Sequence, residues 1–281
     1  MDGAHAVSSS APAKSLSRKW QLFVGALDDE KGKSPCGRSK PVRCKSTNGT
    51  GNTGMENDSL DQPPVLELWE EEKIAGVSKR IAELSSDSRW KRRVFIDCGF
   101  NTCRVLSTFM RYLPNEFKIY GFDILEELAP RARQFERDNC TRAVSLEFAA
   151  VADFDGTIPF VEVNVWGPNY KGGASTMTSY LCDRKVGLSP KQGRAIDFSR
   201  WIQRKFDMND FIAVKMDIEG SEYGVLEKMI ADGTLNQVSL MMVEYHWKYF
   251  DESARESYRL RHERLLEKLN NYSHLELVEW H

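Results

Sequence analysis

Apolar positions along most of this chain follow two rhythms, one of period near 3.6 and one of short continuous runs. From Pro63, "PPVLELWEEEKIAGVSKRIAELSSD" carries apolar residues at helical spacing and predicts an amphipathic entry helix. "RRVFIDCG" is an apolar, β-branched run ending in a glycine, which predicts a strand. In "NTCRVLSTFMRYL" the residues Val105, Leu106, Phe109, Met110 and Leu113 share one helical stripe. "FKIYGFD" predicts a second strand, "LEELAPRARQFERDN" a helix and "AVSLEFAAVAD" a third strand. "GTIPFVEV" reads as a further short strand, and the segment between Val163 and Arg194 as a loop-rich insertion. The helix "DFSRWIQRKF", the strand in "FIAVKMD" and the helix "GSEYGVLEKMIADG" come next. "QVSLMMVEYHW" is a strand, a charged helix runs from about Glu252 to Leu269, and "HLELVEW" is the last strand.

Repeated alternation of strand and helix implies right-handed crossovers and a mostly parallel sheet with helices on both faces. The expected fold class is therefore α/β and Rossmann-like. In such sheets a ligand lies beyond the carboxyl ends of the strands. The residues delivered to that edge are Asp97, Gly99 and Asn101, then Asp123, then Ala150 and Asp153. Asp217, Glu219 and Gly220 follow the next strand, and Glu244 and His246 the one after.

Composition narrows the class. With 41% hydrophobic and 28% charged residues in 281, the chain has the make-up of a soluble globular protein. A formal net charge of −2 argues against a protein built on phosphate neutralisation, so no nucleic-acid partner is expected. No run approaches the roughly 18 apolar residues of a membrane span, and "WQLFVGAL" is too short for a convincing signal peptide. The expected location is cytoplasmic, away from membranes. Six cysteines show no CxxC spacing and only His246 is promisingly placed, so reduced thiols and no metal centre are expected. Residues 1–62 are rich in Ser, Gly, Lys, Asn and Pro, which predicts a disordered extension ahead of one domain over 63–281.

The first turn, "DCGFNTC", separates two cofactor classes. A dinucleotide turn wants GxGxxG, but the second and third glycine positions here are Asn101 and Arg104. A pyrophosphate would meet side chains, whereas a nucleoside sulfonium needs only a tight turn and acidic contacts. Asp123 lies 24 residues beyond Gly99, near the roughly 20 at which an acid takes a ribose hydroxyl. A helix cap is the plainer role for such an acid.

The run "FIAVKMDIEGSEYGVL" ends a buried strand with three acids around one glycine. Glu219 and Glu222 could simply complement a helix macrodipole, with Asp217 as a cap. Capping needs one acid, however, and Lys215 inside an apolar strand calls for carboxylates within reach of its flexible stem. His246 is either a structural histidine or a base.

"VFIDCGFNTC", "YGFD", "FAAVADFDGTIPF", "GGAST", "AIDF", "VKMDIEGSEYGVL" and "MMVEYHW" together resemble the FkbM-type methyltransferases over residues 90–247. These are class I enzymes that use S-adenosyl-L-methionine, mostly to methylate hydroxyl oxygens of sugars or polyketides. The resemblance implies that Asp97, Gly99 and Asn101 line the methionine and ribose side of the cofactor. Asp123 would hold the ribose diol, and Ala150 and Asp153 would lie near the adenine. Asp217 and Glu219 would face the methyl group and the acceptor, with Gly173, Ser175 and Thr176 in a bordering loop. Asp217 is then expected to position, and His246 or Glu219 to act as base, without a metal. The acceptor is expected to be a small molecule or glycan. Two departures stand out: Cys103 replaces a glycine of the family's first turn, and one final strand replaces the usual terminal hairpin. The alternatives are a methyltransferase-like binding subunit without activity and a Rossmann oxidoreductase.

Overall fold

The computed structural model describes residues 66–163, 173–177 and 185–280. The expected disordered extension, residues 1–62, lies outside them. The entry helix is α1, Leu68–Ser85, whose Ile74, Val77 and Ile81 are buried at helical spacing. Next come β1 Arg92–Cys98, α2 Arg104–Tyr112, β2 Phe117–Asp123, α3 Ala129–Asp138 and β3 Val144–Phe148. Four further strands follow: β4 Ala150–Ala152, β5 Gly156–Val163, β6 Gly173–Ser175 and β7 Lys185–Asp197. The chain closes with α4 Phe198–Lys205, β8 Asp210–Met216, α5 Glu222–Ala231, β9 Leu240–Val243, α6 Glu252–Leu269 and β10 Glu276–Glu279.

Six of the strands form one sheet in the order β10-β9-β8-β1-β2-β3, with every neighbouring pair parallel. Among the described residues the last strand, β10 in "HLELVEW", lies parallel to β9 after the crossover through α6. Strand side chains alternate between faces. Val94, Ile96, Ile212, Val214 and Met216 join one buried cluster with Val225, Leu226 and Leu265 from α5 and α6. Phe95, Phe211 and Ala213 join the opposite cluster with Ile74 and Ile81 of α1 and Leu106 and Phe109 of α2. The sheet is thus covered on both faces, as the apolar runs of its strands require.

Two expectations need correction. "AVSLEFAAVAD" does not form one strand: the chain turns at Ala149, whose N–H donates to the Asp123 carbonyl at 2.7 Å, and β4 joins a different sheet. That second sheet runs β4-β7-β5-β6, with β4 parallel to β7 and the other pairs antiparallel. The segment expected to be a loop-rich insertion therefore contains β6 and most of the long strand β7. Pairing with β5 supplies the backbone partners that a loop would lack.

Candidate active site

The carboxyl ends of β1, β2, β8 and β9 meet along one edge and are tied together by main-chain bonds. Gly99 N–H donates to the Phe122 carbonyl at 2.8 Å, Asp217 N–H to the Cys98 carbonyl at 3.0 Å, and Glu244 N–H to the Met216 carbonyl at 2.9 Å. Gly99 has φ +88°, and a Cβ placed there would sit 1.9 Å from the Asp217 carbonyl oxygen. Only glycine serves at that approach. The turn continues through Asn101 (φ 48°) and Cys103 (φ 62°), two L-residues in the left-handed region. Asparagine visits that region readily; buried Cys103 does so at a steric cost that a glycine would not bear.

Above this edge opens a cavity. One wall carries Gly99, Asn101, Thr102 and Arg104 from the first turn, and the Asp123 end of β2. An apolar stretch is made by Phe122, Ile124, Ala149, Ala150 and Val151. The cavity is also lined by Lys215, Asp217, Glu219 and Ser221, and by Gly173, Ala174 and Thr176. Ser175 donates its hydroxyl to the Glu219 carbonyl at 2.6 Å, and the Thr176 and Ser221 hydroxyls bond each other. Residues 173–176 are therefore anchored to the acidic loop.

Asp123 is partly open to the cavity, and both its oxygens are held from behind. Asn101 N–H donates to Oδ2 at 2.8 Å and Leu125 N–H to Oδ1 at 2.9 Å. Burial pushes its carboxyl up to about 6, the two backbone donors oppose this, and Asp97 and Asp217 add to the rise. Lys215, fully enclosed in β8, lies 3.4 Å from Asp97 Oδ1 and 3.1 Å from Asp217 Oδ2. Burial works against its charge, but Asp217 and Asp97 outweigh that and hold the ammonium protonated. Burial likewise pushes the Asp97 carboxyl up, against the pull of Lys215.

His246 begins the short 3-10 turn after β9 and is 2% exposed. Its Nδ1 lies 2.8 Å from Glu222 Oε1. Nε2 lies 3.5 Å from Glu219 Oε2, 3.6 Å from Glu244 Oε1 and 3.7 Å from Asp217 Oδ1. Burial acts to lower its pKa, yet Glu222, Glu219 and Asp217 together raise it well above the ordinary histidine value. Glu219 itself has φ 53°, a left-handed L-residue beside Gly220 at φ +109°. Such conformations persist where surrounding structure enforces them, and they gather at functional sites.

Of the residues expected at the site, Gly99, Asn101, Asp123, Ala150, Asp217 and Glu219 line the cavity. Asp97 lies beneath it, reaching it through Lys215, and His246 stands behind the carboxylates. Asp153 is exposed and stands near Gly224 of α5, apart from the cavity lining. Glu222 was marked in the sequence only as a first-turn acid of a helix. Its Oε1 in fact accepts from Ile218 N–H, Gly220 N–H and the imidazole, so it anchors the whole acidic loop. Arg104, the third-glycine position, lines the cavity and pairs with Glu70 of α1 at 3.4 Å.

A search of curated proteins found no match. A family model described as the methyltransferase FkbM domain matches residues 97–275, which take in β1 from Asp97, the acidic loop, His246 and all of α6. With more than half of the chain matched, and with the matched segments building the cavity described, the protein belongs to the FkbM-domain methyltransferase family.

Proposed function

We propose that this protein is an S-adenosylmethionine-dependent methyltransferase whose acceptor is a hydroxyl oxygen on a sugar or another small molecule. The observation that carries the reading is one cavity lined by two carboxylate sets, Asp123 at the end of β2 and Asp217 and Glu219 after β8. The residues present fit the cofactor's chemistry. Asp123 uses one lone pair of each oxygen on a backbone N–H, which leaves the cavity side to accept hydroxyls of a ribose diol. Phe122, Ile124 and Val151 offer an apolar surface for a flat base, and a sulfonium charge suits the acidic wall.

When bound, the cofactor would supply an electrophilic methyl group on a sulfonium whose sulfur departs as a neutral thioether, with Asp123 holding its ribose and Asp217 and Glu219 facing its charge. The chain's part is alignment and removal of one proton. Lys215 holds Asp217 Oδ2 at 3.1 Å, which fixes that carboxylate as a positioning group. Glu219, also on the cavity wall, takes the acceptor's proton, with His246 Nε2 3.5 Å behind it to stabilise its orientation. Calorimetry with adenosylhomocysteine, followed by transfer of labelled methyl to glycan and metabolite extracts, tests the reading. Absence of binding heat would sink it.

A further inference from the structure

The second sheet grips the acidic loop by a peptide group. Ser175, the last residue of β6, is fully buried and stands opposite Val161 in the register with β5. Its hydroxyl donates to the Glu219 carbonyl at 2.6 Å and accepts from Met177 N–H at 3.1 Å, which leaves the side chain little freedom to turn. The peptide that begins with that carbonyl ends in the N–H of Gly220, which donates to Glu222 Oε1 at 3.1 Å. A trans peptide points its carbonyl and its N–H in opposite directions. This peptide group is therefore held from two sides, by β6 through Ser175 and by α5 through Glu222.

The grip falls on the strained part of the loop. Glu219 has φ 53° and Gly220 φ +109°. An L-residue leaves the left-handed region by turning the peptides on either side of its Cα, and that rotation swings its side chain. Holding the second of those peptides opposes the rotation. Two further contacts act in the same sense. A Cβ at Gly220 would stand 2.9 Å from Met177 Cγ and 3.0 Å from Phe250 Cζ, so residue 177 packs down on the loop. The Thr176 and Ser221 hydroxyls bond each other just beyond the gripped peptide. Strained conformations persist where their surroundings over-determine them, and residues 175–177 do this from outside the main sheet.

We propose that Ser175 is a positioning residue for methyl transfer, holding Glu219 in its left-handed conformation so that the carboxylate faces the acceptor. The role rests on the methyltransferase reading, in which Glu219 takes the proton of the acceptor hydroxyl. Ser175 is buried and stands apart from the residues that line the cavity, so it acts through Glu219 and touches neither substrate. A general base works only within hydrogen-bond reach of the proton it removes. Misplacing such a group by about 1 Å costs on the order of 10²-fold in rate. The second sheet thereby sets the geometry of the reaction as well as covering the site.

The test is Ser175→Ala in the full chain. Adenosylhomocysteine calorimetry should give an affinity within about threefold of the unaltered chain, because no group lining the cavity is lost. Transfer of labelled methyl from adenosylmethionine into glycan and metabolite extracts should fall about 10- to 100-fold at saturating cofactor. In a Glu219→Gln background the same substitution should cost less than about threefold, since the group it positions is already gone. Hydrogen exchange at the Gly220 amide should quicken at least about tenfold, with the Glu244 amide unchanged. Ser175→Cys, which keeps the volume and weakens the donor, carries the same comparison in parallel. Unchanged transfer, an equal loss in both Glu219 backgrounds, or unchanged Gly220 exchange overturns the proposal. Heat from the unaltered chain with equal losses in both backgrounds removes the role of Ser175 and leaves the methyltransferase. No heat, with Gly220 exchange quickened in Ser175→Ala, removes the methyltransferase and leaves the grip on Glu219.

Discussion

Lys215 faces Asp97 directly in the register of β8 and β1, with Nζ 3.4 Å from the Asp97 carboxylate. The pair occupies a position where both neighbouring residues along each strand are apolar and buried. Removing one partner leaves the other charged in a dry environment. Lys215→Met should therefore cost about 3–5 kcal/mol in urea unfolding, while Lys215→Met with Asp97→Leu should recover much of that loss. A single-variant loss below about 1 kcal/mol would mean that the pair is not what holds this seam.

Asp123 gives a pH signature. Its carboxyl is raised to about 6 in the folded protein, and a ribose hydroxyl is best accepted by the ionised form. Adenosylhomocysteine affinity should weaken as pH falls through about 6, and Asp123→Asn should flatten the profile. The linkage to stability has the opposite sense. Because the folded value lies above the ordinary one, ionisation of Asp123 costs stability as pH rises from about 4 to about 6. A cofactor-free melting series on Asp123→Asn, showing a smaller decline across that window, checks this arm.

Gly99 and Gly76 make a matched contrast. A Cβ at Gly99 meets the Asp217 carbonyl oxygen at 1.9 Å, whereas one at Gly76, within α1, meets nothing within 4 Å. Gly99→Ala should cost more than about 3 kcal/mol and abolish adenosylhomocysteine binding, since Asp217 must move. Gly76→Ala should raise stability by up to about 1 kcal/mol and leave binding intact. Equal melting shifts for the two would refute the argument from backbone approach.

The division of labour between Asp217 and Glu219 is open to kinetics once an acceptor is in hand. Glu219→Gln should lower kcat about 10²- to 10⁴-fold with KM for the cofactor nearly unchanged. Asp217→Asn should raise KM as well, because it loosens the group that Lys215 positions. Equal kcat loss with unchanged KM in both would assign them one shared role.

What could be read from the sequence was what local pattern controls. The bounds of α6 are visible because Asp251 caps its start, with its side chain accepting the Ala254 N–H at 3.0 Å, and no Gly or Pro interrupts the helix before its end at Leu269. Lys215 was visible as a misfit in an apolar strand, and its carboxylates are where a flexible stem reaches. The corner at Ala149 was hidden, since the apolar run continues unbroken and only tertiary partners move β4 to the second sheet. That corner also explains Asp153: its strand leaves the parallel sheet, so its end no longer points to the shared edge. Glu222 looked like a helix-terminal acid, and its bond to His246, 24 residues on, depends on the β8–β9 register that no local signal encodes.

The seam between β1 and β8 also dictates the order in which this protein can be assembled. Arg92 of β1 pairs with Asp210 of β8, 118 residues later in synthesis. A ribosome therefore releases β1, β2 and β3 long before the strand that covers the other side of β1 exists. Through that interval the nascent chain presents a bare strand edge with a carboxylate, Asp97, whose counter-charge has not been made. Arrival of β8 closes the edge and delivers Lys215 in the same event, so the middle of the sheet waits on a late strand and only β9 and β10 are added after it.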